Sequence, residues 1–223
     1  MTKEGLRLKV LKQVRIRLAK LRAKKIKHTD FTIISNNCWG GMIYESYGLQ
    51  KCSPTCGGFF YADDYIKFLS NLEEYLNEPL TFIKPEESKW KFDYKHIPNI
   101  GSFPIGRLKD VDIFFMHYDN EEEVINKWNR RCHRMNMDKL IVKFNDQNLC
   151  SQQNYIDFCR LPFKNKLFFT VRDDWPLVND KKQYIKINQP GDEGHILASY
   201  EPFGKSKYID MNEYINRMEI EWK

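Results

Sequence analysis

Residues 111–171 read VDIFFMHYDNEEEVINKWNRRCHRMNMDKLIVKFNDQNLCSQQNYIDFCRLPFKNKLFFTV. Three largely apolar runs stand out: Val111–Tyr118 (VDIFFMHY), Leu140–Phe144 (LIVKF) and Lys166–Val171 (KLFFTV). Each has the length and the aromatic and β-branched content of a buried strand. The segments between them have helical character. Asp119 or Asn120 caps the first, whose opening turn holds Glu121, Glu122 and Glu123 and which runs to about Met135. Carboxylates there meet the positive end of the helix dipole. Gln152–Arg160 is the second. Strands alternating with helices predict an α/β fold with a mostly parallel central sheet flanked by helices.

The pattern extends in both directions. Upstream, Phe31–Ser35 is a strand, followed by the turn Asn36-Asn-Cys-Trp-Gly-Gly41 and a helix ending at Gly48. Ala62–Asn77 has helical spacing, with Tyr65, Phe68, Leu69, Leu72 and Leu76 on one face and Asp63-Asp64 at its start. Leu80–Ile83 is a short strand, and residues 84–109 read as loop with an edge strand or hairpin. Downstream, Gln183–Ile187 is a further strand and Met211–Glu221 a final helix. The chain has 223 residues, 42% hydrophobic and 14% aromatic, enough for one well-buried domain.

Charge divides the chain into residues 1–27 and a body at 28–223. Of 36 basic residues, 11 lie in the first part with a single acid, Glu4, a net +10; the body holds 25 basic against 29 acidic residues, a net −4. Residues 6–26 predict a basic amphipathic helix with Leu11, Val14, Leu18 and Leu21 on one side. Such a helix packs on the body or a partner, or lies on an anionic membrane surface. Nucleic acid is the least favoured occupant, because no base-reading module follows. No run approaches the ~18 apolar residues of a membrane span, and no signal peptide is evident. The expected setting is cytoplasmic, peripheral to the inner membrane face, with six reduced cysteines.

Parallel sheets bind ligands at the carboxyl ends of their strands. Cys38 follows the first strand at a helix start, where dipole and free amides favour thiolate; the competing reading is a buried, inert thiol. His117, after VDIFFM, is the matching base, with Asp146 or Asp173 to orient the imidazole. Asn36, Asn37, Gly40 and Gly41 are candidate substrate contacts, the glycines by letting substrate approach the backbone. Arg131 and Arg134, one turn apart, offer a clamp for phosphate or carboxylate, or else surface ion pairs. Asp63-Asp64 and Asp173-Asp174 read as helix start and loop before they read as cation ligands. No cysteine–histidine spacing makes a zinc site, and no glycine pattern makes a nucleotide fingerprint. No metal or cofactor is expected.

Two of these stretches, SNNCWGGMIYESYGLQKCSPTCGGFF (35–60) and HYDNEEEVINKWNRRCHRMN (117–136), resemble an uncharacterised bacterial family. Its members are labelled exopolysaccharide biosynthesis proteins and occur among capsule and surface-polysaccharide genes. The resemblance covers about residues 28–200. It implies an α/β domain that acts on a surface glycan or its activated precursor. A more distant similarity is to papain-like cysteine peptidases, which also place an Asn-Cys pair after the first strand. That similarity implies nucleophile and base positions for Cys38 and His117. Glycan acyl transfer, or removal of an acyl group, needs the same two groups.

The expectation is therefore a transferase or hydrolase of exopolysaccharide biosynthesis whose partner is a glycan or activated sugar precursor. A glycosyltransferase-like nucleotide-sugar enzyme and a non-catalytic scaffold of the polysaccharide machinery are the alternatives.

Overall fold

A computed structural model describes residues 6, 9–10, 13–14, 16–93, 99–188 and 208–221. Strands β1 (Thr32–Ser35), β5 (Leu140–Asn145), β6 (Lys166–Thr170) and β7 (Ile185–Lys186) form a parallel sheet in the order β1-β5-β6-β7. β1 is an edge strand, and its outer rim is not left open. The Tyr44 hydroxyl, from helix α2 (Trp39–Tyr47), accepts from Ile33 N at 2.8 Å and donates to Phe31 O at 3.1 Å. This side chain satisfies backbone groups that would otherwise invite another strand.

Alternation along the strands sorts side chains onto two faces. Ile34, Val142, Phe144 and Phe168 pack against Tyr65, Phe68 and Leu69 of α3 (Ala62–Ser70) and Tyr155 and Phe158 of α6 (Gln152–Arg160). Ile33, Ile141, Leu167 and Phe169 pack against Trp39, Ile43 and Tyr44 of α2 and Met211 and Ile215 of α7 (Met211–Asn216). Helices thus cover both faces, as a parallel sheet requires. Gly40 sets the fit of α2 on β1: a Cβ there would stand 3.0 Å from Ile33 Cγ2.

The run at 111–117 does not belong to this sheet, which corrects one expectation. Only Val111–Phe114 is strand (β4), and it lies in a second, antiparallel sheet with β2 (Thr81–Ile83) and β3 (Ile105–Leu108). A tight turn through Lys109, at φ 51°, folds β3 onto β4. Arg107 then pairs across the hairpin with the fully buried Asp112, Nε to Oδ1, at 2.7 Å. Buried apolar runs look alike in either type of sheet, so only this local pairing decides.

Other elements are shorter than expected. The 62–77 helix breaks at Asn71 (φ −135°, ψ 44°), leaving α3 and α4 (Leu72–Asn77). Helix α5 spans Glu121–Cys132, with the Asn120 side chain accepting from Glu123 N at 2.9 Å. At the N-terminus, α1 (Ala19–Ala23) buries Ala19 and Arg22, and Ile26 joins the α2 face of the core. Of the predicted leucine stripe, Leu18 and Val14 are half-buried, Leu21 is exposed, and Leu11 lies outside the described residues.

Candidate functional site

Where β1 and β5 end, a buried polar cluster faces the start of α2. Lys143 sits in the middle of β5 and is fully buried. Its register partner is Ser35, and it shares the α2 face with Ile141. Its ammonium donates to Asn36 Oδ1 (3.2 Å), Asn37 Oδ1 (3.0 Å) and Asn145 Oδ1 (2.7 Å). Asn37 Nδ2 in turn reaches Gln147 Oε1 at 3.1 Å, and Asn37 Oδ1 accepts from Trp39 N at 3.1 Å, closing the first turn of α2. Three amide oxygens around one ammonium are the kind of satisfaction a buried cation needs. Asn36 Nδ2, in this cluster, and Trp39 Nε1, on α2, are buried donors with no hydrogen-bond partner among the described residues.

Cys38 is the residue before α2 and is 9% exposed. Desolvation pushes its thiol up to about 11, with the neighbouring Cys56 adding to the rise and Lys143 and Lys51 opposing it. The argument for a lowered thiol at a helix start is therefore overturned by burial. Cys56 is likewise raised to about 11 by burial. All six cysteines are free thiols.

His117 does not leave the parallel sheet beside Cys38, since β4 is in the other sheet. A strap at residues 57–60 links the two regions instead. Phe60 N donates to Asn36 O at 3.0 Å, Phe59 exchanges backbone bonds with Phe114, and His117 N donates to Gly57 O at 3.3 Å. His117 is exposed, yet enough protein surrounds its ring that desolvation, helped by the Lys51 ammonium, holds it below the ordinary imidazole value. Lys51 thus acts on both Cys38 and His117, while no hydrogen bond joins the two. The strap depends on Gly57, at φ 91°, where a Cβ would come within 2.7 Å of the Tyr118 ring.

The remaining predicted residues are spread around this cluster. Asp146 is buried and accepts from Thr170 Oγ1 and, at 2.9 Å, from Val171 N; Thr170 Oγ1 also receives Trp175 Nε1 at 2.6 Å. This places Asp146 at the end of β5, bound toward β6. Asp173 is exposed and paired with Lys186, and Asp174 with Arg172. Gly40 and Gly41 are closed off by protein: Gly40 meets Ile33, and a Cβ at Gly41 would lie 3.6 Å from Cys56 Cβ. Arg131 is buried, donating to Cys56 O at 2.8 Å and to the Tyr118 hydroxyl. It fastens the strap to α5. Arg134 is half-buried and lines a shallow surface hollow with Asp30, Cys52 and Asn136. Asp63 accepts from Asn154 Nδ2, while Asp64 is buried against Lys89 and Trp90 Nε1, so that acid pair diverges.

The sequence does carry a signal for Lys143. A lone charge inside LIVKF contradicts its surroundings, and buried lysines are rare unless paired. Lys51 and Cys56 carry no comparable signal, because only the fold brings both near Cys38 and Lys51 near His117.

The sequence model of a domain of unknown function, DUF1919, matches residues 9–219. The chain belongs to the DUF1919 family. A relative from Haemophilus influenzae, described as an uncharacterized protein, is 31% identical over 195 residues, 86% of this chain and 85% of its own. The DUF1919 match takes in the parallel sheet, the strap and the Lys143 cluster, and it begins inside the basic segment. Residues 9–27 of that segment lie within the match.

Proposed function

We propose that the protein is a transferase or hydrolase of surface-polysaccharide biosynthesis. It binds a glycan, or the acceptor-rich group of its activated precursor, at the carboxyl edge of β1 and β5. The observation that supports this reading is the buried Lys143–Asn36–Asn37–Asn145 cluster against the start of α2, where Asn36 Nδ2 has no hydrogen-bond partner among the described residues. Buried unpaired N–H groups are uncommon in native proteins, and phosphate or sugar oxygens are suited to them. The resemblance of residues 35–60 and 117–136 suggests the pathway, and the polar cluster supports an oxygen-rich ligand. In this reading His117, held below the ordinary imidazole value, takes the Cys38 proton as the sulfur attacks an acyl carbon; the C–O bond to the leaving alcohol breaks, that alcohol receives the proton from His117, and water or a glycan hydroxyl then takes the acyl group from sulfur and returns the proton to the thiol. The raised thiol makes that proton transfer part of the step.

The test is calorimetric titration of the full chain with pyrophosphate and with UDP-glucose, alongside complementation of a deletion strain for surface polysaccharide. Lys143→Met and Asn36→Leu should each weaken binding about 10- to 100-fold, the loss of one charge-assisted or buried hydrogen bond, and lower polysaccharide output. Cys38→Ala should bind normally and lose output. Folded Lys143→Met protein, verified by thermal melting, that restores full polysaccharide would end the reading. Binding lost in Lys143→Met with output kept in Cys38→Ala would retain the binding site and remove the thiol step.

A further inference from the structure

The basic N-terminal segment turns its two sides to different uses. Its described residues from 6 to 23 are helical but for Leu18. From Ala19 onward the inward side is engaged by the body. Ala19 lies against Gly48, whose added Cβ would be 3.2 Å from Ala19 Cβ, and Arg22 Nε donates to Ser46 O. Ile26 is 8% exposed in the α2-side core. Asn216 of α7 then clasps the chain from both directions: its Oδ1 accepts from Lys27 N at 2.7 Å, and its Nδ2 donates to Lys25 O at 2.8 Å.

The outward side is different. Leu6, Val10, Ile16 and Leu21 are 52%, 54%, 51% and 57% exposed. Lys9, Arg17, Lys20, Lys24 and Lys25 are exposed among them. At about 100° per residue, Leu6, Val10, Arg17, Leu21 and Lys24 share a sector roughly 60° wide. More than half of each of these four aliphatic side chains is exposed to water, while the body is gripped through Ala19, Arg22 and Ile26. Phosphates of a nucleic acid would account for the lysines and arginines but not for the aliphatics. An anionic bilayer accounts for both: aliphatics enter the headgroup–acyl boundary while cations stay with the lipid phosphates.

We infer that this outward face binds anionic lipid bilayers and holds the domain at a membrane surface. The inference stands apart from the proposed chemistry at Lys143 and does not depend on it. Each basic residue near an anionic surface contributes roughly fivefold in partitioning.

The experiment is co-sedimentation of the full chain with phosphatidylcholine vesicles and with vesicles containing phosphatidylglycerol, at low and high salt. Wild type should bind the anionic vesicles, more weakly at high salt, and leave the neutral ones. A quadruple Lys9→Gln, Arg17→Gln, Lys20→Gln, Lys24→Gln variant should lose about 100-fold or more. A Leu6→Gln, Val10→Gln, Ile16→Gln, Leu21→Gln variant should also lose at least tenfold while keeping its thermal midpoint, since none of the four belongs to the buried core. Equal partitioning onto both vesicle types, or none in low salt, overturns the inference. So does an aliphatic variant that sediments like wild type. Duplex RNA that binds wild type and the aliphatic variant alike, in protein that ignores vesicles, would assign the face to nucleic acid instead.

Discussion

The reactivity of Cys38 can be worked out before it is measured. Burial holds its thiol up to about 11. An ordinary thiol titrates near 8.5, so at pH 7.5 about 10% of it is thiolate; at about 11 the fraction is about 0.03%. Because the thiolate is the attacking form, Cys38 should alkylate roughly 300-fold more slowly than a free cysteine before any steric hindrance is counted. The assay is iodoacetamide labelling of the folded protein over a pH series, with site-resolved mass spectrometry. The Cys38 rate should climb about tenfold per pH unit through pH 7 to 9, with no plateau near 8.5. Cys56, fully packed beside Gly41, should follow the same course. A Cys38 rate near that of a free thiol at pH 7.5, or a plateau below pH 8.5, would refute the reasoning. It would mean that the α2 dipole and Lys143 outweigh desolvation.

Two further outcomes follow from the same region. An acid whose pKa is raised in the folded state keeps its proton there after the unfolded chain has lost it, so stability falls as pH climbs from about 8.5 towards 11. Cys38 and Cys56, both near 11, should each remove about 2 to 3 kcal/mol by about pH 10.5, read as a lower urea midpoint than at pH 8; an unchanged midpoint would contradict their burial as thiols. Gly57→Ala puts a Cβ 2.7 Å from the Tyr118 ring at a backbone φ of 91° and should cost about 1 to 3 kcal/mol in thermal unfolding. A variant as stable as its parent would show that the strap is not pinned there.

How much was legible depended on whether the deciding contact was local. β1, β5 and β6 were readable because each apolar run is bounded by turn or cap residues, and a parallel strand needs no partner nearby in sequence. The strand at 111–114 was also readable, but its sheet was not. The choice rests on Arg107 meeting Asp112 across a turn that the sequence leaves as loop. Asn36 and Asn37 stand at the strand end, where position alone marks them, and the fold turns their amide oxygens to Lys143. Lys143 was not so marked, since reading LIVKF as a strand core hid its one charged member. Gly40, Gly41 and Arg131 were assigned to substrate, whereas the fold spends them on Ile33, Cys56 and Tyr118. A residue type gives a capacity, and only long-range packing tells what uses it up.

The clasp made by Asn216 has a consequence for how the molecule comes into being. It joins residues 189 and 191 positions apart, and Ile26 shares a core with Met211 and Ile215. The other face of the sheet draws its core from residues 34 to 178. During synthesis the chain emerges from its N-terminus, and regions fold as they become available. The α3–α6 face therefore has all its parts while the α2 face still waits for α7. Until Met211 leaves the ribosome, the core shared by Ile141, Leu167 and Phe169 lacks its α7 members. The half of the sheet that carries the polar cluster is the half completed last. A ribosome stalled before α7 holds a chain with one finished layer and one sticky one, the form that holdase chaperones would recognise.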